Sequence, residues 1–183
     1  QACALPIWQK YLFDLNGYLV LDNVLTADHC GRLVEELYRL SEVPNDQLPG
    51  GVAHDETGPG ELRLADITSV GPVFADLIDL PPVIDVLKEV IHRELRLEIS
   101  YAFIRKNGFS GLDLHGGGHW DGNGQDLQFT YRHFNGNIFC GNTVVAFNLN
   151  GIIGPSTSIP KIGILRLGHS WFLKAPKVHA VRP

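Results

Sequence analysis

The sequence contains no methionine and opens on glutamine. It is therefore read as processed or as a piece of a longer reading frame. It also lacks any cluster of lysine and arginine: 15 basic residues stand against 20 acidic ones, for a formal net charge of -5. Nucleic acid and anionic membrane both demand concentrated positive charge, so neither is an expected partner. No apolar run approaches the ~20 residues that a membrane helix requires, and no basic-then-apolar secretory leader is visible. Cysteine is scarce: Cys3, Cys30 and Cys140 are odd in number, widely spaced and free of any C-x-x-C pattern. That argues against a disulfide framework and a cysteine-type zinc site, and suits small buried thiols in a reducing, cytoplasmic setting.

What is present suits one domain over residues 1–183. Hydrophobic residues make up 44% of the chain and charged ones 19%, an ordinary globular balance with enough apolar material for a core. The spacing predicts a short strand over Tyr18–Val24 after the turn Asn16-Gly17. Thr26 is placed as the N-cap of a helix running to about Ser41, with Asp28 in its first turn and Cys30, Leu33, Val34, Leu37 and Leu40 on one face. Pro44–Gly60 is rich in Pro, Gly, Asp and Asn and reads as a long mobile loop, with His54 and Asp55 able to visit a site. A short helix over Val73–Asp79 is stopped by Pro81-Pro82, and a second helical segment carries Val83, Val86, Leu87, Val90 and Ile91.

From Leu97 the period becomes two. Leu97, Ile99, Tyr101 and Phe103 are expected to line the buried face of a strand. Asn107-Gly108 turns the chain into a strand over Leu112–His115, and 116–124 must be loop. Ile138–Cys140 and Asn142–Asn150 supply further strands, the second apolar enough to be central. Ile162–Leu167 is another. Helices first, then short strands separated by turns, predict an α+β chain in which N-terminal helices pack on a double-stranded β-helix, or jelly roll.

The chemistry concentrates in Leu114-His115-Gly116-Gly117-Gly118-His119-Trp120-Asp121. Two imidazoles and a carboxylate fall within seven residues at the end of a strand pattern. A His-x-Asp pair there lets both side chains reach one point, because alternate strand residues project to the same side. Two such ligands and one remote His make the facial triad of non-heme Fe(II), which leaves metal positions open. The plainer reading of Gly116–Gly118 is a turn, since glycine accepts positive φ, and of Trp120 a packing anchor.

Three phrases resemble the phytanoyl-CoA dioxygenase family of Fe(II)- and 2-oxoglutarate-dependent oxygenases. They are Asn16-Gly-Tyr-Leu-Val-Leu-Asp-Asn-Val-Leu25, Tyr101-Ala-Phe-Ile-Arg-Lys-Asn-Gly108 leading to Leu114-His115, and Asn135-Gly-Asn-Ile-Phe-Cys-Gly141 running into Asn142–Leu149. The resemblance covers residues 11–150; residues 151–183 are divergent or incomplete. It implies a jelly roll holding iron, with 2-oxoglutarate as cosubstrate, and hydroxylation of a small organic molecule coupled to release of succinate and carbon dioxide.

Carried over residue by residue, it allows two registers. His119-Trp120-Asp121 has the required types. Aligned instead on Leu114, the first ligand is His115 and the carboxylate position falls on Gly117, a change that makes room for a halide in some related halogenases. His115 and Asp121 can also bind together if the loop folds back. For the distal ligand and the arginine that pairs with the cosubstrate's far carboxylate, the chain offers His179 and Arg182, more closely spaced than in the family. His169 resembles only a neighbouring turn. Tyr101 and Phe147 are candidates for the pocket wall beside the cosubstrate, against the plainer reading as core aromatics.

Two readings from other classes compete: a non-catalytic remnant of the same fold, and a zinc hydrolase built on His115, His119 and Asp121. No motif encodes the substrate or an oligomeric state. The registers separate by mutation. Asp121→Ala abolishes iron binding, measured by metal titration, if His119 and Asp121 are the ligand pair; unchanged affinity eliminates that register, and His115→Ala tests the other.

Overall fold

The computed structural model describes residues 5–92, 94–105 and 131–149, together with the backbone of 161–166. Helix α1 (Ile7–Asn16) opens the described chain and ends where Gly17 turns left-handed (φ 79°) and donates its N–H to the Phe13 carbonyl at 2.9 Å. Strand β1 (Tyr18–Asp22) follows. Helix α2 (Ala27–Ser41) starts as its sequence dictates: the Thr26 hydroxyl accepts from the His29 N–H at 3.1 Å, and Asp28 sits in the first turn. Its buried stripe is Cys30, Leu33, Leu37 and Leu40. Helix α3 is short (Pro72–Ala75). Helix α4 (Pro81–Ile91) carries both prolines in its first turn, where no N–H is needed, and buries Val83, Val86 and Val90.

The remaining strands are β2 (Ala53–Gly58), β3 (Glu61–Ala65), β4 (Tyr101–Arg105), β5 (Tyr131–Phe134), β6 (Asn137–Cys140), β7 (Thr143–Asn148) and β8 (Lys161–Arg166). They form three antiparallel sheets, in the orders β1-β8-β7, β2-β3-β4 and β5-β6. Asn135 and Gly136, both at positive φ, make the two-residue turn between β5 and β6. The architecture is α+β. Among the described residues no helix is long and apolar enough to cross a membrane.

One hydrophobic cluster joins the helices to the sheets. Phe13, Leu33, Leu40, Val83 and Val90 from the helices meet Leu19 from β1, Leu64 from β3 and Ile138 from β6. Ala102 and Ile104 of β4, and Val145 and Phe147 of β7, pack against its margin. Because strand residues alternate, these positions fix which sheet face the helices cover.

Three sequence expectations need correction. Residues 53–58, expected in a mobile loop, form a strand paired with β3 around a register shift between Asp55 and Gly58. The expected strand from Leu97 begins only at Tyr101, and its faces are exchanged. Leu97 (52% exposed) and Ile99 (58%) lie outward, while Ala102 and Ile104 face the core. Alternation could not choose the phase; pairing of Ala102 with the fully buried Leu64 did. The helix expected over Val73–Asp79 is a single turn ending at Ala75, after a 3-10 turn at Ile67–Val70. In the described β1-β8-β7 sheet, β8 lies between the other two strands. The strands expected at Leu112–His115 and the turn at Asn107-Gly108 lie outside the described residues.

Leu64 has no exposed surface and joins β3 to the helix layer. Leu64→Ala is expected to cost roughly 2–5 kcal/mol, read as a lower urea midpoint at unchanged slope.

Candidate functional site

With one side of β2-β3-β4 committed to the helices, the opposite side is a polar and aromatic surface. It carries Asp55 on β2, Glu61 and Arg63 on β3, and Tyr101, Phe103 and Arg105 on β4, in rows set by the pairings Asp55↔Arg63↔Phe103 and Glu61↔Arg105. Sequence reasoning expected Tyr101 and Phe103 on the buried face of a strand, with Tyr101 also a candidate for the pocket wall, and missed Glu61 and Arg63 altogether. The signal that could have found them is the charged/apolar alternation of Glu61-Leu62-Arg63-Leu64, a half-buried strand pattern.

The side chains interlock. Arg105 donates through Nε to the Glu61 carboxylate at 2.5 Å, and its guanidinium lies 4.6 Å from the Phe103 ring centre. Arg63 donates through Nη1 to Asp55 at 3.2 Å and lies over the Tyr101 ring at 4.9 Å. Tyr101 and Phe103 meet edge to face at 5.1 Å. Glu61 is the one buried charged residue among those described, at 3% exposure. A carboxylate is withdrawn from water only where charge-assisted hydrogen bonds replace its hydration. The Arg63 Nε is buried and has no hydrogen-bond partner.

Of the candidate site residues, Tyr101 stands on this surface, 40% exposed. Phe147 does not join it, because it packs against the hydrophobic cluster. His115, His119, Asp121, His179 and Arg182 lie outside the described residues, as do Gly117 and His169. His54 is not free to visit a site: its ring bonds the Leu40 carbonyl at 2.8 Å, and its backbone N–H donates to the Asn45 side chain at 2.7 Å. Asp55 is held in the β2–β3 pair. No group of three His, Cys, Asp or Glu side chains able to hold a metal occurs among the described residues.

Two other polar groupings were not anticipated. Asp14 on α1 accepts from the Tyr131 hydroxyl at 2.5 Å and contacts His133 Nδ1 at 2.9 Å. A carboxylate can only accept, so Nδ1 carries the proton in this arrangement. Tyr131 also meets Phe13 edge to face, so the grouping fastens α1 to β5. Separately, Arg32, Glu35, Glu36, Arg39 and Val73 line an open depression of about 300 Å³. Hydrogen bonds from Arg39 hold the Glu36 carboxyl below its ordinary range, with a smaller opposing effect from burial. With its Arg39 and Glu36 charges paired, the depression has the character of a solvated helix face.

Solved structures share this architecture. HygX from Streptomyces hygroscopicus with nickel and 2-oxoglutarate bound superposes with a TM-score of 0.67 and 23% identity, over 90% of this chain and 78% of that one. HygX with nickel, 2-oxoglutarate and hygromycin B bound gives 0.61 and 19%, over 89% and 78%. HygX with iron bound gives 0.60 and 19%, over 90% and 78%. The chain therefore has the HygX fold. No protein-family model matches the chain, and no curated protein matches it.

Neither described thiol is a nucleophile. Cys30 is buried, and desolvation raises its pKa; Cys140 has no exposed surface, and its Sγ donates to the Asn142 carbonyl at 3.3 Å. Ellman's reagent should therefore leave Cys30 and Cys140 unreacted in the native protein and titrate both after unfolding.

Proposed function

We propose that this chain is an Fe(II)- and 2-oxoglutarate-dependent dioxygenase of the phytanoyl-CoA dioxygenase kind that hydroxylates a small organic molecule. Its antiparallel sheets would then belong to one double-stranded β-helix domain spanning residues 1–183. The observation that carries this reading is the likeness of fold to HygX, seen with iron and with nickel and 2-oxoglutarate, in a chain whose β4 leads on towards the His115–Asp121 segment. HygX is also seen with hygromycin B bound, which supports a small organic substrate here.

The donor set fits the ion. Two imidazoles and a carboxylate, without thiolate, are the ligands that non-heme iron accepts while keeping positions open. His119 and Asp121 would hold the metal from one short segment, with His115 the alternative first ligand and His179 the remote one. Arg182 is the sequence's candidate for the cosubstrate's far carboxylate, by virtue of its bidentate fork. Tyr101 would form the pocket wall, its ring oriented by Arg63 on one side and Phe103 on the other. When bound, iron and 2-oxoglutarate supply the oxidation, dividing oxygen between succinate, formed with carbon dioxide, and the hydroxylated product. The protein's part is to fix the ligands and limit water.

The test is anaerobic Fe(II) titration followed by assay of succinate from 2-oxoglutarate in air. One iron per chain and 2-oxoglutarate-dependent succinate are expected. No metal uptake and no turnover identify an inactive remnant of the fold. Zinc retention with hydrolysis indifferent to 2-oxoglutarate identifies a hydrolase.

A further inference from the structure

We propose that helix α1 is a homodimer interface, its outer face packing antiparallel against the same face of a second copy of this chain about a two-fold axis. The interface stands whether or not the chain is a dioxygenase. Ile7 is 81% exposed, Trp8 57%, Tyr11 63% and Leu15 63%, while Phe13 is the residue that α1 buries. Positions 7, 11 and 15 recur every fourth residue and Trp8 falls three before Tyr11, so the four side chains form one stripe. From Ile7 to Leu15 it runs about 12 Å at the helical rise. The helix is not free to roll and hide it. Lys10 pairs with Glu89 of α4, Asp14 bonds Tyr131 and His133 of β5, and Phe13 meets Tyr131 edge to face. Anchored on that side, α1 holds the stripe outward in one orientation, and docking on it loses little freedom.

Three features of the stripe point to a second copy as its occupant. The first is area. An interface of standard size takes about 800 Å² from each partner, and at about 65% apolar a homodimer needs about 500 Å² of apolar surface per copy. The stripe exposes roughly 400–600 Å², at 150–250 Å² for a large side chain. Trp8 and Tyr11, at its centre, are of the types that carry most binding energy. The second is charge. Lys10 and Asp14 are the charged residues of α1, and both are engaged on its anchored side. The stripe therefore gives a charged partner no counter-charge, and an anionic membrane no row of Lys or Arg. A neutral apolar face is complementary to its own copy, as an isologous contact requires. The third is the helix ends. α1 has no acidic residue in its first turn and no basic residue in its last. An antiparallel copy sets each end beside the opposite end of its partner and offsets both dipoles.

The test is sedimentation equilibrium of the full chain across the micromolar range, in wild type, Tyr11→Lys, Tyr11→Glu and an equimolar mixture of the two variants. The two-fold axis sets Tyr11 opposite its own copy, so either substitution alone opposes like charges. Wild type is expected to show a reversible monomer–dimer equilibrium. Each variant should dimerise at least about 30-fold more weakly, the scale of losing a central aromatic residue. The mixture should recover the dimer, because the two introduced charges attract; a contact elsewhere on the molecule predicts no such rescue. Far-UV circular dichroism and thermal midpoints of the variants, read at concentrations where all are monomeric, are expected to match wild type, since Tyr11 lies on the surface. A wild type that stays monomeric, a dimer undisturbed in both variants, or a mixture as monomeric as its components overturns the proposal. Binding of monomeric wild type to phosphatidylcholine vesicles, lost in Tyr11→Lys, assigns the stripe to a membrane and overturns it as well.

Discussion

A β-sheet has two faces, and here the helices take one of them. Leu64, with no exposed surface, marks that commitment: it holds β3 against the helix layer and, through the pairing Leu64↔Ala102, sets which way every side chain of β4 points. A slip of one residue would exchange the faces and drive Glu61 and Arg63 into hydrocarbon. The surface bearing Tyr101 is thus a by-product of core packing, and its chemistry is set by residues that never touch it.

That surface is stabilised by a different set of forces. Two guanidiniums lie on two aromatic rings, and each also meets a carboxylate. Each ring contact contributes about 0.5–2 kcal/mol depending on desolvation. The exposed Arg63–Asp55 pair adds little. The short Arg105–Glu61 contact offsets the cost of burying Glu61 rather than adding a surplus. The result is a rigid array in which charge is held in place by stacking and pairing together, as a positioned binding surface requires.

Much of the helical half was legible in the chain. Thr26 capping, the stripe Cys30–Leu33–Leu37–Leu40 and the prolines opening α4 are local signals, and the structure follows them. The β half was less so, because strand phase and order depend on partners distant in sequence. Alternation around Tyr101 was real but ambiguous between faces. Pro and Gly between Pro44 and Gly60 suggested one long loop and concealed the six-residue strand within it. The turn Asn135-Gly136 carried a plain hairpin signal that was not used. Of the site residues, only Tyr101 and Phe147 can be placed, and they part company: one on the polar surface, the other against the core. The aspartate of α1 that fastens Tyr131 and His133 had no sequence signature, since its partners lie more than a hundred residues away.

The position of β8 has a consequence for how the molecule is made. Residues 161–166 lie between β1 and β7 and hydrogen-bond to both, Leu165 opposite Tyr18 on one side and Val144 on the other. A nascent chain emerging in order would have α1, α2 and their hydrophobic contacts available early, while the edge of β1 that pairs with β8 stayed unmatched until residues 161–166 had been synthesised. Completion of that sheet is a late, high-contact-order event. Until then the waiting edge of β1 is open to pairing with another chain.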